Sequence, residues 1–224
     1  MQRVALPQAG EWNDFWEKSS SGVKSRVSFS KKRILNVIQP YVVSGKRALD
    51  AGCGSGFFSK YFCDEGMRTT SLDYASQALH LTKEMTAGRS LIVQADILNP
   101  DIASELTERF DIIFTDGLLE HFEADDQNLI LHNLKKLLSE NGVLITFVPN
   151  KLSPWELIRP MFMPGIEEKP FDMKQLVRLN ESNGLMLLRK GGINVWPFYG
   201  SPDRWLGPKF GMLLYTIAKA HELL

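Results

Sequence analysis

The sequence predicts an α/β protein built on a doubly wound, mostly parallel sheet. Three observations carry that reading. Short apolar runs alternate with amphipathic stretches from Lys46 to Val148, at the spacing of repeated strand–helix units. The first run leads into a tight turn with glycine at every second position, Gly52, Gly54 and Gly56. Aspartates close the strand runs at Asp50, Asp73, Asp96 and Asp116, and such sheets bind ligands outside the carboxyl ends of their strands.

Taken in order, residues 1–30 are a polar and aromatic lead-in. Trp12, Phe15 and Trp16 share a helical face at i, i+3 and i+4, as a stripe that packs on the domain or covers a pocket. Six basic residues between Lys18 and Arg33 meet no acidic one, which fits a solvated face, a mobile arm over the active site or recognition of an anionic substrate. Ile34, Leu35, Val37 and Ile38 carry a helix that Pro40 ends. Lys46–Ala51 is then the first strand and Gly56–Glu65 a helix stopped by Gly66. Arg68–Asp73 is a strand, Ser76–Thr86 a helix, and Ser90–Ala95 a third strand expected to be buried on both faces. A short helix at Ile102–Glu108 precedes a strand at Phe110–Thr115. The helix Asp126–Leu138 and the strand Gly142–Val148 follow, the latter entered through Asn141-Gly142 and closed by Pro149.

After Asn150 the alternation breaks. Residues 151–170 set Pro154, Pro160, Pro164 and Pro170 among apolar and aromatic residues. The prolines forbid one long helix, yet the stretch is too apolar for a solvated loop. A lid or substrate-wall insertion is expected, or else an apolar loop packed on the sheet. A helix at Asp172–Asn183 and a strand at Leu185–Lys190 come next, then a turn-rich aromatic stretch, Gly191–Lys209. Gly211–Ala220 suits a strand or a helix equally by periodicity.

Composition narrows the function classes. The formal net charge is +0, so no global field argues for nucleic acid or an anionic surface. No apolar run reaches the ~18 residues of a membrane span, and the first residues lack a signal-peptide pattern. The two cysteines, Cys53 and Cys63, supply no disulfide framework. A cytoplasmic setting is expected. No H-x-x-x-H or C-x-x-C spacing occurs, so no metal is expected.

The glycine turn is the most informative stretch. A dinucleotide fingerprint needs G-x-G-x-x-G, and the third glycine falls on Phe57 or Ser59 in the two available frames. Both frames fail. Leu49-Asp50-Ala51-Gly52-Cys53-Gly54-Ser55-Gly56 instead resembles motif I of the class I S-adenosylmethionine-dependent methyltransferases. Phe110 to Phe122 resembles the fourth-strand motif of their small-molecule, type 11-like branch.

That resemblance implies a Rossmann-like sheet of seven strands, with Gly211–Ala220 as the antiparallel last strand, and S-adenosylmethionine as cofactor. It also implies residue roles. Gly52, Cys53, Gly54 and Gly56 let backbone approach the cofactor, and Asp50 lies by the methionine ammonium. Asp73 would grip both ribose hydroxyls, with Tyr74 beside the adenine. Asp96 would accept from the adenine amino group, with Ile97 framing the ring, and Asp116, Gly117 and Leu118 would wall the methionine end. His121, in the Glu120-His121 pair, would act as base or positioner, or only pack over the cofactor. The N-terminal helix would be a cap.

Function follows as an expectation: in-line methyl transfer to a small, hydrophobic or aromatic acceptor, by a single domain of residues 1–224. Its parts would be the cap (1–44), a cofactor core (45–150), the lid (151–170) and a C-terminal completion of the sheet (171–224). Two alternatives stay open, a non-catalytic scaffold that binds S-adenosylmethionine and a nicotinamide-dependent oxidoreductase. The second is disfavoured by the missing glycine and by its Tyr-x-x-x-Lys spacing, Tyr215 to Lys219, at the chain's end. No DNA partner is expected; RNA or protein substrates and the oligomeric state stay open.

Overall fold

A computed structural model describes residues 12, 13, 16, 17, 28–162 and 168–220. Its strands are β1 (Arg47–Ala51), β2 (Arg68–Asp73), β3 (Leu91–Gln94), β4 (Phe110–Asp116), β5 (Leu138–Pro149), β6 (Leu185–Ile193) and β7 (Leu213–Ala220). The helices are α1 (Phe29–Ile38), α2 (Phe57–Asp64), α3 (Ser76–Met85), α4 (Ile102–Glu105), α5 (Ala124–Leu137), α6 (Trp155–Phe162), α7 (Met173–Ser182) and α8 (Asp203–Phe210). The seven strands form one sheet in the order β3-β2-β1-β4-β5-β7-β6. The first five pair in parallel, and β7 runs antiparallel to both β5 and β6. The Rossmann-like fold and its antiparallel strand are as expected.

The period-2 alternation of strands sorts side chains to two cores. Leu49, Ile113 and Leu144 meet Ile130 and Leu134 of α5 and Leu176 of α7 on one face. Ala48, Ile112 and Ile145, one residue out of phase, meet Ile34 and Ile38 of α1 and Phe62 of α2 on the other. An aromatic ladder crosses the second core: Phe58–Phe114 at 4.6 Å, Phe114–Phe147 at 5.9 Å and Phe147–Tyr215 at 5.5 Å between centroids. Tyr215 thus lies inside the sheet as a packing residue. Asp172 opens α7 through a reciprocal capping box with Gln175.

Several elements differ from expectation. β3 is the sheet's edge strand, and Leu91 is 60% exposed, so it is not covered on both faces. Asn141-Gly142 lies within β5, in an irregular stretch between the pairings Phe110↔Leu138 and Ile112↔Val143. Its glycine is required there because a Cβ would come 2.5 Å from the Phe110 carbonyl. β6 runs on to Ile193, and a helix, α8, occupies part of the stretch read as turns. Gly207 makes that helix possible: its backbone lies so close to Gly192 that neither position has room for a Cβ. Tertiary packing outweighs the helix-breaking tendency of Gly207-Pro208. Phe15, residues 18–27 of the basic run and 163–167 of the insertion lie outside the described residues.

Candidate active site

The carboxyl ends of β1 to β4 open into one cavity of about 810 Å³, within the range of small-molecule sites. Asp50, Asp73, Asp96 and Asp116 all line it, as do Gly52, Cys53, Gly54, Tyr74, Ile97, Gly117, Leu118 and His121. Trp12 and Trp16, the two described members of the N-terminal aromatic stripe, line it too. Gly56, expected at the cofactor with Gly52 and Gly54, is not among the residues that line it. It is the left-handed N-cap of α2, with φ +78°, and a Cβ there would come 2.7 Å from Thr82 Cα. Gly56 serves the packing of α2 on α3.

The turn is held from behind. Gly52 and Cys53 donate their amides to the Leu72 carbonyl at 2.8 and 3.0 Å. Thr82 Oγ1 donates to the Gly54 carbonyl at 2.9 Å and lies 3.4 Å from Cys53 Sγ. With the hydroxyl hydrogen so used, the thiol donates to Thr82. Burial raises the Cys53 thiol pKa well above its ordinary value, so it stays protonated. A Cβ on Gly54 would come 2.7 Å from Trp16 Cζ2, so the tryptophan lies directly over the turn.

Each aspartate has a distinct setting. Asp73 accepts the Gly54 amide on Oδ2 and the Ala75 amide on Oδ1, both at 2.9 Å. Each oxygen keeps a further lone pair for a ligand hydroxyl. Burial raises its pKa while these amides oppose the shift. Asp96 accepts the Leu98 amide at 2.9 Å. Asp50 accepts from Ser59 at 2.6 Å, and Ser59 accepts from Ser71 at 2.7 Å. Burial pushes Asp50 up to about 7, with the Ser59 hydrogen bond opposing. Asp116 is likewise raised to about 7 by burial, with Lys31 opposing. Lys31 lines the same cavity from α1, and burial lowers its pKa.

The turn after β4 carries Glu120 and His121 in a short 3₁₀ helix, Leu119–His121. Glu120 is buried, and its Oε2 has no hydrogen-bond partner among the described residues. Its pKa is raised well above the carboxylate range, first by burial and then by neighbouring acids. Its Oε1 lies 3.6 Å from where a Gly117 Cβ would stand. His121 meets Trp12 edge to face at 4.8 Å. Helix α5 holds both ligand-facing loops: Gln127 Nε2 donates to the carbonyls of Leu119 and Phe122, and Asn133 Nδ2 to those of Ile97 and Asn99.

Four acidic strand ends, a glycine turn and two tryptophans thus surround one cavity. A family model described as a methyltransferase domain matches residues 49–144. That stretch is a methyltransferase domain, and the sheet around it has the fold of the class I S-adenosylmethionine-dependent methyltransferases. A ubiquinone biosynthesis O-methyltransferase of Coxiella burnetii is 25% identical over 215 residues, covering 90% of this chain and 91% of that one. The fold is shared with an S-adenosylmethionine-dependent methyltransferase of Anabaena variabilis, at TM-score 0.70 and 16% identity over 99% of this chain and 98% of that one. It is shared also with the magnesium protoporphyrin IX methyltransferase of Synechocystis, at TM-score 0.68 and 14% identity over 95% and 97%. This methyltransferase therefore uses S-adenosylmethionine as methyl donor.

Sequence reasoning passed over Gln127 and Asn133, named Glu120 only as the partner of His121, and met Lys31 only as one member of the basic run. Lys31 fell within a basic run whose direction no pattern resolves. The two amides sit on the inner face of α5, where a buried polar residue among leucines was the available signal. Of the described part of residues 151–170, Glu168 lines the cavity. The exposed aromatics after Ile193 stand outside it.

Proposed function

We propose that this methyltransferase acts on a small, largely apolar acceptor, and that the acceptor's nucleophile is an oxygen. The observation that carries the reading is the split character of the cavity: carboxylates at the strand ends, with Trp12, Trp16, Phe57, Phe58 and Phe122 around them. The curated relative is an O-methyltransferase by name, which supports oxygen over nitrogen.

The buried acids suit the cofactor. Asp50 and Asp116 are disfavoured as anions in isolation, and a cationic ligand relieves that penalty. S-adenosylmethionine brings an activated methyl on a sulfonium and, at its other end, an ammonium. Asp50, Asp116 and Gly117 would hold the amino-acid portion, Asp73 the ribose hydroxyls, and Tyr74, Asp96 and Ile97 the adenine. Tyr74 is 55% exposed and has a ring face to offer. Gly52, Cys53, Gly54 and Leu118 complete the wall. Because the donor is activated, alignment of the acceptor oxygen supplies much of the rate. His121 takes or orients the acceptor proton, while the aromatic lining excludes water.

The test is a screen of apolar hydroxyl-bearing molecules with S-adenosylmethionine carrying a labelled methyl. Label on the oxygen of an apolar acceptor is expected, with turnover reduced and its pH profile altered in His121→Gln. Label only on highly charged small molecules, on RNA or on protein would overturn the acceptor class. An unaltered pH profile would remove His121 from proton handling.

A further inference from the structure

Most of the large apolar side chains exposed among the described residues fall in two segments, 150–158 and 194–212. Leu157, Tyr199 and Trp205 are 84%, 80% and 81% exposed, and Ile158, Trp196 and Phe198 accompany them. Both segments leave the sheet at one edge. The first follows the end of β5 at Pro149 and the second the end of β6 at Ile193. Both residues lie beside Leu213, where β7 begins. That edge is also the one on which the cavity opens.

The aromatic loop is fixed in place. The Arg33 guanidinium donates to Asn194 Oδ1 at 2.8 Å, to the Trp196 carbonyl at 2.6 Å and to the Phe198 carbonyl, and pairs with Asp203 at 3.5 Å. Phe29 meets Tyr199 at 4.7 Å. Arg33 and Phe29 lie on α1, two residues either side of Lys31, which lines the cavity. One helix thus connects the exposed aromatics to the site.

Charge distinguishes this face from the rest of a net-neutral chain. The exposed charged side chains described in the two segments are Lys151, Arg204 and Lys209, all basic, with Lys32 exposed nearby on α1. The acids there, Glu156 and Asp203, are half-buried. Exposed Trp, Tyr and Phe interspersed with Lys and Arg suit the headgroup layer of a bilayer. The rings sit at the apolar boundary and the cations meet anionic lipid. An isologous dimer through this patch would set its basic residues against their own copies. Single-stranded nucleic acid would stack on the rings, but it makes no use of Leu157 and Ile158.

We propose that this face docks on an anionic lipid bilayer, with the cavity edge towards the membrane. Docking does not depend on the identity of the acceptor. The test is co-sedimentation of the full chain with phosphatidylcholine vesicles with and without phosphatidylglycerol. Binding is expected to the anionic vesicles, decreasing as salt is added. It should weaken at least about tenfold in Arg204→Glu/Lys209→Glu, given the contribution of each basic residue at such a surface, and also in Trp205→Ser. Calorimetric binding of S-adenosylhomocysteine, unchanged in these surface variants, would show that they fold. Four results would overturn the proposal: no sedimentation with anionic vesicles, undiminished binding by folded variants, a wild-type dimer that Trp205→Ser converts to monomer, or binding of a single-stranded RNA oligomer in place of vesicles.

Discussion

At the residue scale, the acidic strand ends differ in how they are held, and the difference decides what each substitution does. Asp73 is tied by two backbone amides, one of them from the glycine turn. Asp73→Ala removes a ligand acceptor and leaves the Gly54 amide without its partner. It should weaken S-adenosylhomocysteine binding by at least ~1.5 kcal/mol, the scale of a charge-assisted hydrogen bond. Titration calorimetry reads this directly, and an unchanged affinity would remove Asp73 from the ribose. The residue was visible in the sequence because it ends a strand in a repeated pattern. Glu120 was named only as the neighbour of His121 and given no role of its own, because only the fold reveals that its Oε2 is buried and without a hydrogen-bond partner among the described residues.

At the scale of elements, three glycines one residue apart do two jobs. Gly52 and Gly54 bring backbone to the cavity, whereas Gly56 caps α2 and lets α3 approach. Gly88 provides a control: its φ of +71° resembles the +78° of Gly56, yet no atom lies within 4 Å of its would-be Cβ. Gly88→Ala carries only the backbone penalty, about 1 kcal/mol. Gly56→Ala adds a collision with Thr82 backbone, and overpacking of that kind costs a further ~1–3 kcal/mol. Urea unfolding of the two variants should separate them by that margin; equal losses would mean that α3 yields without penalty. The alternation of strands and helices was legible throughout the core because each element has its own period. α8 was not, since Gly207 and Pro208 speak against a helix and only the contact with Gly192 explains it.

At the scale of the whole molecule, the buried acids make stability depend on pH. Asp50 and Asp116 are held near 7 in the folded protein, against 3.8 for the ordinary carboxyl. Between those values the folded chain binds more protons than the unfolded one. These two groups therefore make the unliganded protein less stable as pH rises from about 4 to about 7, with no further loss above. S-adenosylmethionine favours the ionised forms, so its affinity should rise between pH 6 and pH 8, with proton release visible in buffers of different ionisation enthalpy. A pH-independent affinity without proton release would separate these acids from the ligand. The sheet order has a different consequence, for synthesis on the ribosome. β7 follows β6 in the chain, yet it lies between β5 and β6. A nascent chain that has not yet exposed residues 213–220 carries β5 as an open edge, and β6 has no neighbour to join. The aromatic loop between β6 and β7 must therefore wait, already translated and unattached to the sheet, until β7 slides in between β5 and β6.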